Sequence, residues 1–199
     1  MVSLDLLSTL DGLIWLQSGE RVANLFKQHQ TTVSRNQKKC AQVFGITFSK
    51  SQSRWKINGD STLLQLEREV HQQARLTGKS QLRIEVNGWI KYPLFNPAPP
   101  SWVVGSSNIS SELHHIQCLK KQIIDACLCP LSNLPGEAQN LEIIPLKLPA
   151  KSALVALKKM YTKRKFRLSL EYFYRTNQRK YIYTRMQFRD SSTTISYNK

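Results

Sequence analysis

The sequence predicts a mixed α/β fold: an N-terminal unit of three helices and a β-hairpin, a fourth helix as linker, then a small α/β domain. Three observations predict it. Apolar residues recur at helical spacing through the first 45 positions; four short apolar or alternating runs follow position 80; and charge is unevenly divided. Residues 1–78 carry ten basic and six acidic side chains, residues 79–146 five of each, and residues 147–199 fourteen against two, which gives +4, 0 and +12 of the total +16.

In the first helix Leu6, Leu10, Leu13, Ile14 and Leu16 form an apolar face. Ser18 to Gly45 then predicts two short helices joined by a tight turn. Val22, Ala23, Leu25 and Phe26 mark the inner face of one, and Val33, Cys40, Val43 and Phe44 that of the other. The remaining positions of the second are polar or basic. Gln30, Thr31, Thr32, Ser34 and Arg35 crowd its first turns, the part of a recognition helix that enters a major groove, and Lys38 and Lys39 follow where phosphates would lie. The segment Ile46 to Ile57 suits a hairpin wing, with Lys50, Arg54 and Lys56 placed to displace counterions from a nucleic-acid backbone. From residue 20 to 56 there are eight Lys or Arg and one acid, Glu20, so the charge coincides with this surface.

The order and spacing of these elements resemble the DNA-binding domain of LysR-type transcriptional regulators. The stretches that carry the resemblance are Gln17-Ser18-Gly19, Val22-Ala23-Asn24-Leu25, His29-Gln30-Thr31-Thr32-Val33-Ser34-Arg35, Phe44-Gly45 and Thr47-Phe48-Ser49-Lys50, within about the first 75 residues. Cys40-Ala41, Asn24 and Asn58-Gly59-Asp60-Ser61 depart from the family pattern, Asn58 being able to cap the helix that follows. The resemblance implies a winged helix-turn-helix over residues 1–59 that reads double-stranded DNA.

A linker helix is expected within residues 60–78, from about Asp60 to Arg75. Leu63, Leu66, Glu67, Val70 and Ala74 lie on one stripe, with Arg68, Glu69, His71 and Arg75 offering charge around it. The apolar members Leu63, Leu66, Val70 and Ala74 would pair with a second copy, as the family's linker helices do, to make a homodimer.

Residues 79–199 are expected to form a reduced α/β effector-like domain with a basic C-terminal hairpin. Leu82–Val86 alternates as a strand, Trp102–Gly105 is a second strand, Glu112 to Lys121 a helix, Ile123–Cys129 an apolar run suited to a parallel sheet, and Leu141 to Leu146 the last of the series. Leu82-Arg83-Ile84, Ile124-Asp125-Ala126 and Leu141 to Leu146 resemble the first lobe of the LysR effector domain, half of a periplasmic-binding-protein-like fold. The resemblance admits a small-molecule effector near Asn87, Ser106, Ser107 and Asn108, polar loops at strand ends. Lys151 to Tyr161 is expected as a helix. Lys165–Arg175 and Lys180–Phe188 are expected as a hairpin whose interleaved basic and aromatic residues suit sequence-independent contact with nucleic acid.

The remaining chemistry is thin. Cys40, Cys118, Cys127 and Cys129 accompany no export signal, so disulfides are not expected, and their spacing with His114 and His115 matches no zinc pattern. Neither a nucleophile with its base nor a phosphate-binding glycine loop is visible, so no enzyme and no cofactor is expected. No membrane span is visible, and a cytoplasmic, nucleoid-associated regulator follows. The alternative function is a non-catalytic RNA-binding or structural adaptor driven by the basic aromatic C-terminal segment.

Overall fold

Helix α1, Leu4–Leu16, is capped by the Ser3 side chain, which accepts from Leu6 N at 3.3 Å. It is buried on two sides. Leu6, Leu7 and Leu10 pack with Cys40, Ala41, Ile46 and Leu64, whereas Leu13, Trp15 and Leu16 join a larger core that runs on into the C-terminal sheet. The computed structural model describes residues 2–51, 54–86, 98–107, 111–130, 140–145 and 152–157, together with Phe95, Ile109, Met160 and Lys163. Among these residues it holds five helices and two sheets.

Helix α2, Gly19–Leu25, starts at a Ser18 cap, and its Val22 and Ala23 are buried. Gly12 permits its approach to α1, since a Cβ there would stand 2.8 Å from the Phe26 ring. Helix α3, Gln30–Val43, buries Val33, Cys40 and Ala41. Val43 departs from the expected inner face and is 55% exposed. Three positions beyond Cys40 the helical period has carried the stripe past the core, and Ala41 takes the inner position instead.

Strands β1, Thr47–Ser51, and β2, Arg54–Asn58, pair antiparallel, with Phe48 stacked on Trp55 at 4.8 Å between ring centroids. Helix α4, Thr62–Leu76, follows. Its start is held by Asp60, whose carboxylate accepts from Thr62 N at 2.9 Å, and Asn58, expected as the cap, instead donates to Ser49 Oγ at 3.2 Å. Asp60 is the nearer side chain to the orphan amides, which is why it takes the role.

The second sheet has the order β4-β3-β5-β7-β6, built from β3 (Leu82–Val86), β4 (Trp102–Gly105), β5 (Ala126–Pro130), β6 (Leu141–Pro145) and β7 (Ser152–Leu157). Strand β3 is parallel to β4 and β5, while β7 lies antiparallel between β5 and β6. Helix α5, Glu112–Lys120, leads into β5. The apolar run from Ile123 is buried throughout, but the strand starts at Ala126, after a turn through Gln122. The helix expected over Lys151 to Tyr161 is corrected by β7. Leu154 to Leu157 are buried and paired on both sides, and that pairing overrides the helical preference of Ala, Leu and Lys.

Candidate nucleic-acid interface and the junction behind it

The α3 surface follows from its composition. With Val33, Cys40 and Ala41 turned inward, Gln30, Thr31, Ser34, Arg35, Lys38 and Lys39 are exposed and Thr32 half-buried. Lys50, Arg54 and Lys56 on the hairpin are exposed as well. The turn between α2 and α3 is closed by Lys27 at φ 52°, and Gln28 N donates to Ala23 O at 2.8 Å. The hairpin is oriented from α1. Gln17 ends that helix at φ 57°; its side-chain amide donates to Ile14 O at 2.6 Å, and its oxygen accepts from Trp55 N.

Helix α4 has its polarity inverted. Leu63, Leu66 and Val70 are 64%, 54% and 48% exposed, and Ala74 is half-buried, whereas Arg68, His71, Gln72 and Arg75 are buried. The charges expected around the stripe are therefore corrected to an inner polar face. The cause is a set of inward carboxylates. Arg68 lies 2.8 Å from Asp11, and Arg75 donates to both oxygens of Asp125 at 2.7 and 2.9 Å and to Gln122 O at 2.8 Å. Asp125 also accepts from Arg83 N at 2.9 Å. A planar guanidinium matches a carboxylate on two atoms, so the buried charges are compensated by geometry as well as by sign. Burial, followed by repulsion from Arg75, lowers the Arg83 guanidinium to about 10; it still carries its charge at neutral pH. Its Nη2 donates to Ser8 Oγ at 2.6 Å.

Sequence reasoning missed a junction between α1 and the second sheet. Trp15 lies against Gly105, where a Cβ would stand 2.2 Å from the indole, and its Nε1 donates to Glu85 Oε2 at 2.5 Å. Glu85 Oε1 accepts from Ser107 N at 2.8 Å and stands 3.4 Å from His115 Nε2. Ser107 Oγ is 2.9 Å from His115 Nε2, and Arg21 donates to Ser106 O. Two residues of the expected effector site, Ser106 and Ser107, thus serve this junction. Asn87 and Asn108 lie outside the described residues, as does the expected hairpin 165–188. Glu85 was readable only as the polar member of an alternating strand, and nothing in the sequence pairs it with a residue 70 positions away.

The cysteines are thiols without disulfides, all buried. Burial pushes Cys40 and Cys118 up to about 12, and hydrogen bonding with Cys129 followed by burial holds Cys127 well above its usual range. At neutral pH Cys40, Cys118 and Cys127 remain protonated and poor as nucleophiles or metal ligands. Among the described residues no group of three His, Cys, Asp or Glu is arranged to hold a metal, and no helix is long and apolar enough to cross a membrane.

No family model and no curated protein matches the chain. Among solved structures it is similar to a full-length OxyR variant from Pseudomonas aeruginosa, at 20% identity and a TM-score of 0.41 over 73% of this chain and 53% of that one. It is similar also to ArgP from Mycobacterium tuberculosis, at 16% identity and a TM-score of 0.33 over 73% and 53%. CrgA, a LysR-type transcriptional regulator from Neisseria meningitidis, gives 13% identity and a TM-score of 0.29 over 73% and 54%. The chain spans about half the length of these proteins. In the motifs of its first 75 residues the chain resembles the DNA-binding domain of LysR-type transcriptional regulators.

Proposed function

We propose that the chain is a sequence-specific, double-stranded DNA-binding regulator of LysR type that acts as a dimer and catalyses no reaction. The observation that carries this reading is α3, a polar and cationic helix held outward by three buried residues on an apolar support. Residues 1–59 serve as the winged helix-turn-helix: Gln30, Thr31, Thr32, Ser34 and Arg35 meet base edges or adjacent phosphates, Lys38 and Lys39 flanking phosphates, and Lys50, Arg54 and Lys56 the backbone beside the wing. Residues 60–78 form the dimerisation helix, and residues 79–199 the effector-like lobe. The protein acts in the cytoplasm, on the nucleoid.

Dimerisation is supported by the inverted polarity of α4. A helix that turns Arg68 and Arg75 inward beside Leu64 and Leu76, with Leu63, Leu66 and Val70 outward, leaves apolar area in water, and covering it with a second copy returns about 25 cal/mol per Å². Selection of bound duplexes from random DNA tests the whole reading, since a palindromic site reports both specificity and twofold symmetry. Arg35→Ala should then weaken the selected site by about 1–3 kcal/mol, the value of one good contact to a base pair. Unchanged specific affinity would remove Arg35 from the reading surface. Deletion of residues 164–199, which spares β7 and the core residue Met160, should leave the preference for the selected duplex in place; loss of nearly all binding would favour an adaptor driven by the basic segment.

A further inference from the structure

A cavity of about 330 Å³ opens where β2, α4 and α5 meet the end of α1. Three elements bring cations to it: β2 supplies Arg54 and Lys56, α4 supplies Arg68, and Lys121 stands just beyond α5. Arg68 already lies 2.8 Å from Asp11. Among the described residues that line the cavity, Arg54, Lys56 and Lys121 have no carboxylate set against them. Gln65 and Gln117 add side-chain amides able to donate, and His114 forms part of the wall. We infer that this cavity is a binding site for a small oxyanion carrying two negative charges, held by Arg54, Lys56 and Lys121 with Gln65 and Gln117 as neutral donors.

The attraction is electrostatic. Like charges converging on one concavity repel one another, and walls of low dielectric focus their field on its centre, so an anion placed there relieves the repulsion and gains three attractions. His114 senses the same field. Burial holds its pKa below the ordinary value, and Arg54 and Lys121 lower it further, against hydrogen bonds that the ring donates to the Trp15 and Ile14 carbonyls, which raise it. The groups facing its ring are those two cations, the two carbonyls, the Cys118 thiol at 3.7 Å and the edge of the His115 ring, 5.8 Å away between centroids. An anion screening Arg54 and Lys121 must therefore raise the His114 pKa.

The consequence for regulation rests on the proposed function: an anion engaging Arg54 and Lys56 competes with the DNA backbone for the wing, so it weakens DNA binding. Binding itself does not depend on that reading, and is measured without DNA. Titration calorimetry of the full-length chain with inorganic phosphate and, separately, with malonate should show a one-to-one site for at least one of them, and histidine NMR should show the His114 pKa rising on saturation. Gln117→Glu places a carboxylate in the cavity, and Lys121→Gln removes a cation; neither touches the proposed DNA surface. Each should weaken the anion tenfold or more while leaving the melting temperature of the free chain in place. Absence of binding by both probes, or binding that neither variant alters, overturns the site. Binding without any loss of DNA affinity keeps the site and overturns only its competition with DNA.

Discussion

Two residues show how single side chains take conformations or charges that their neighbours dictate. Lys27 closes the turn before α3 at φ 52°, a region that costs a residue with a Cβ about 1–2 kcal/mol relative to glycine. Lys27→Gly should raise the unfolding free energy by about 0.5–1 kcal/mol in urea titration, because the relief of strain outweighs the extra freedom of the unfolded chain. The same change at Gln17, at φ 57°, should not help, since its side chain holds both Ile14 and Trp55. His114 offers a test by pH. Its folded pKa lies below the usual 6.5, so near that value the unfolded chain binds more protons than the folded one. Stability should therefore fall as pH drops through 6.5 and below, and His114→Gln should flatten that part of the profile in melts taken across it.

Among the elements, α4 separates what pattern can and cannot tell. The stripe Leu63, Leu66, Val70, Ala74 was legible from spacing alone, because helical period needs only neighbours in sequence. Which way the stripe faces was not. Its inner partners, Asp11 and Asp125, lie 57 and 50 residues from Arg68 and Arg75, and no local rule joins them. Leu66→Glu should thus cost little stability, as Leu66 is 54% exposed, while shifting the mass measured by light scattering toward the monomer. A dimer of unchanged mass would place the interface elsewhere. Strand β7 marks the same limit from the other side. Ala153 to Leu157 has a composition that suits a helix, and only the flanking β5 and β6 make it extended. By contrast, α1 to α3 and the hairpin were readable in order and nearly in extent, since each announces itself through caps, turns and period within about fifteen residues.

For the molecule as a whole, the larger core runs from Leu13, Trp15 and Val22 through to Val155 and Leu157. The α3 surface was legible in the sequence as a cluster of polar and basic residues; the cavity at α4 and α5 was not, because its cations come from positions 54, 56 and 121. Gly105→Ala would drive a Cβ into the Trp15 ring and should lower stability by about 2–3 kcal/mol, seen as a drop in the melting temperature of one shared transition. Two separate transitions in the native chain would show that the N-terminal helices and the sheet melt independently.

That indole also bears on how the chain can be divided. Severed after residue 78, the N-terminal piece would present to water the face that Trp15 now hides against Gly105, along with Arg75 parted from Asp125. What looks in sequence like a detachable reading head is thus seated in the lobe behind it, and a fragment made to isolate it should be sticky and poorly folded.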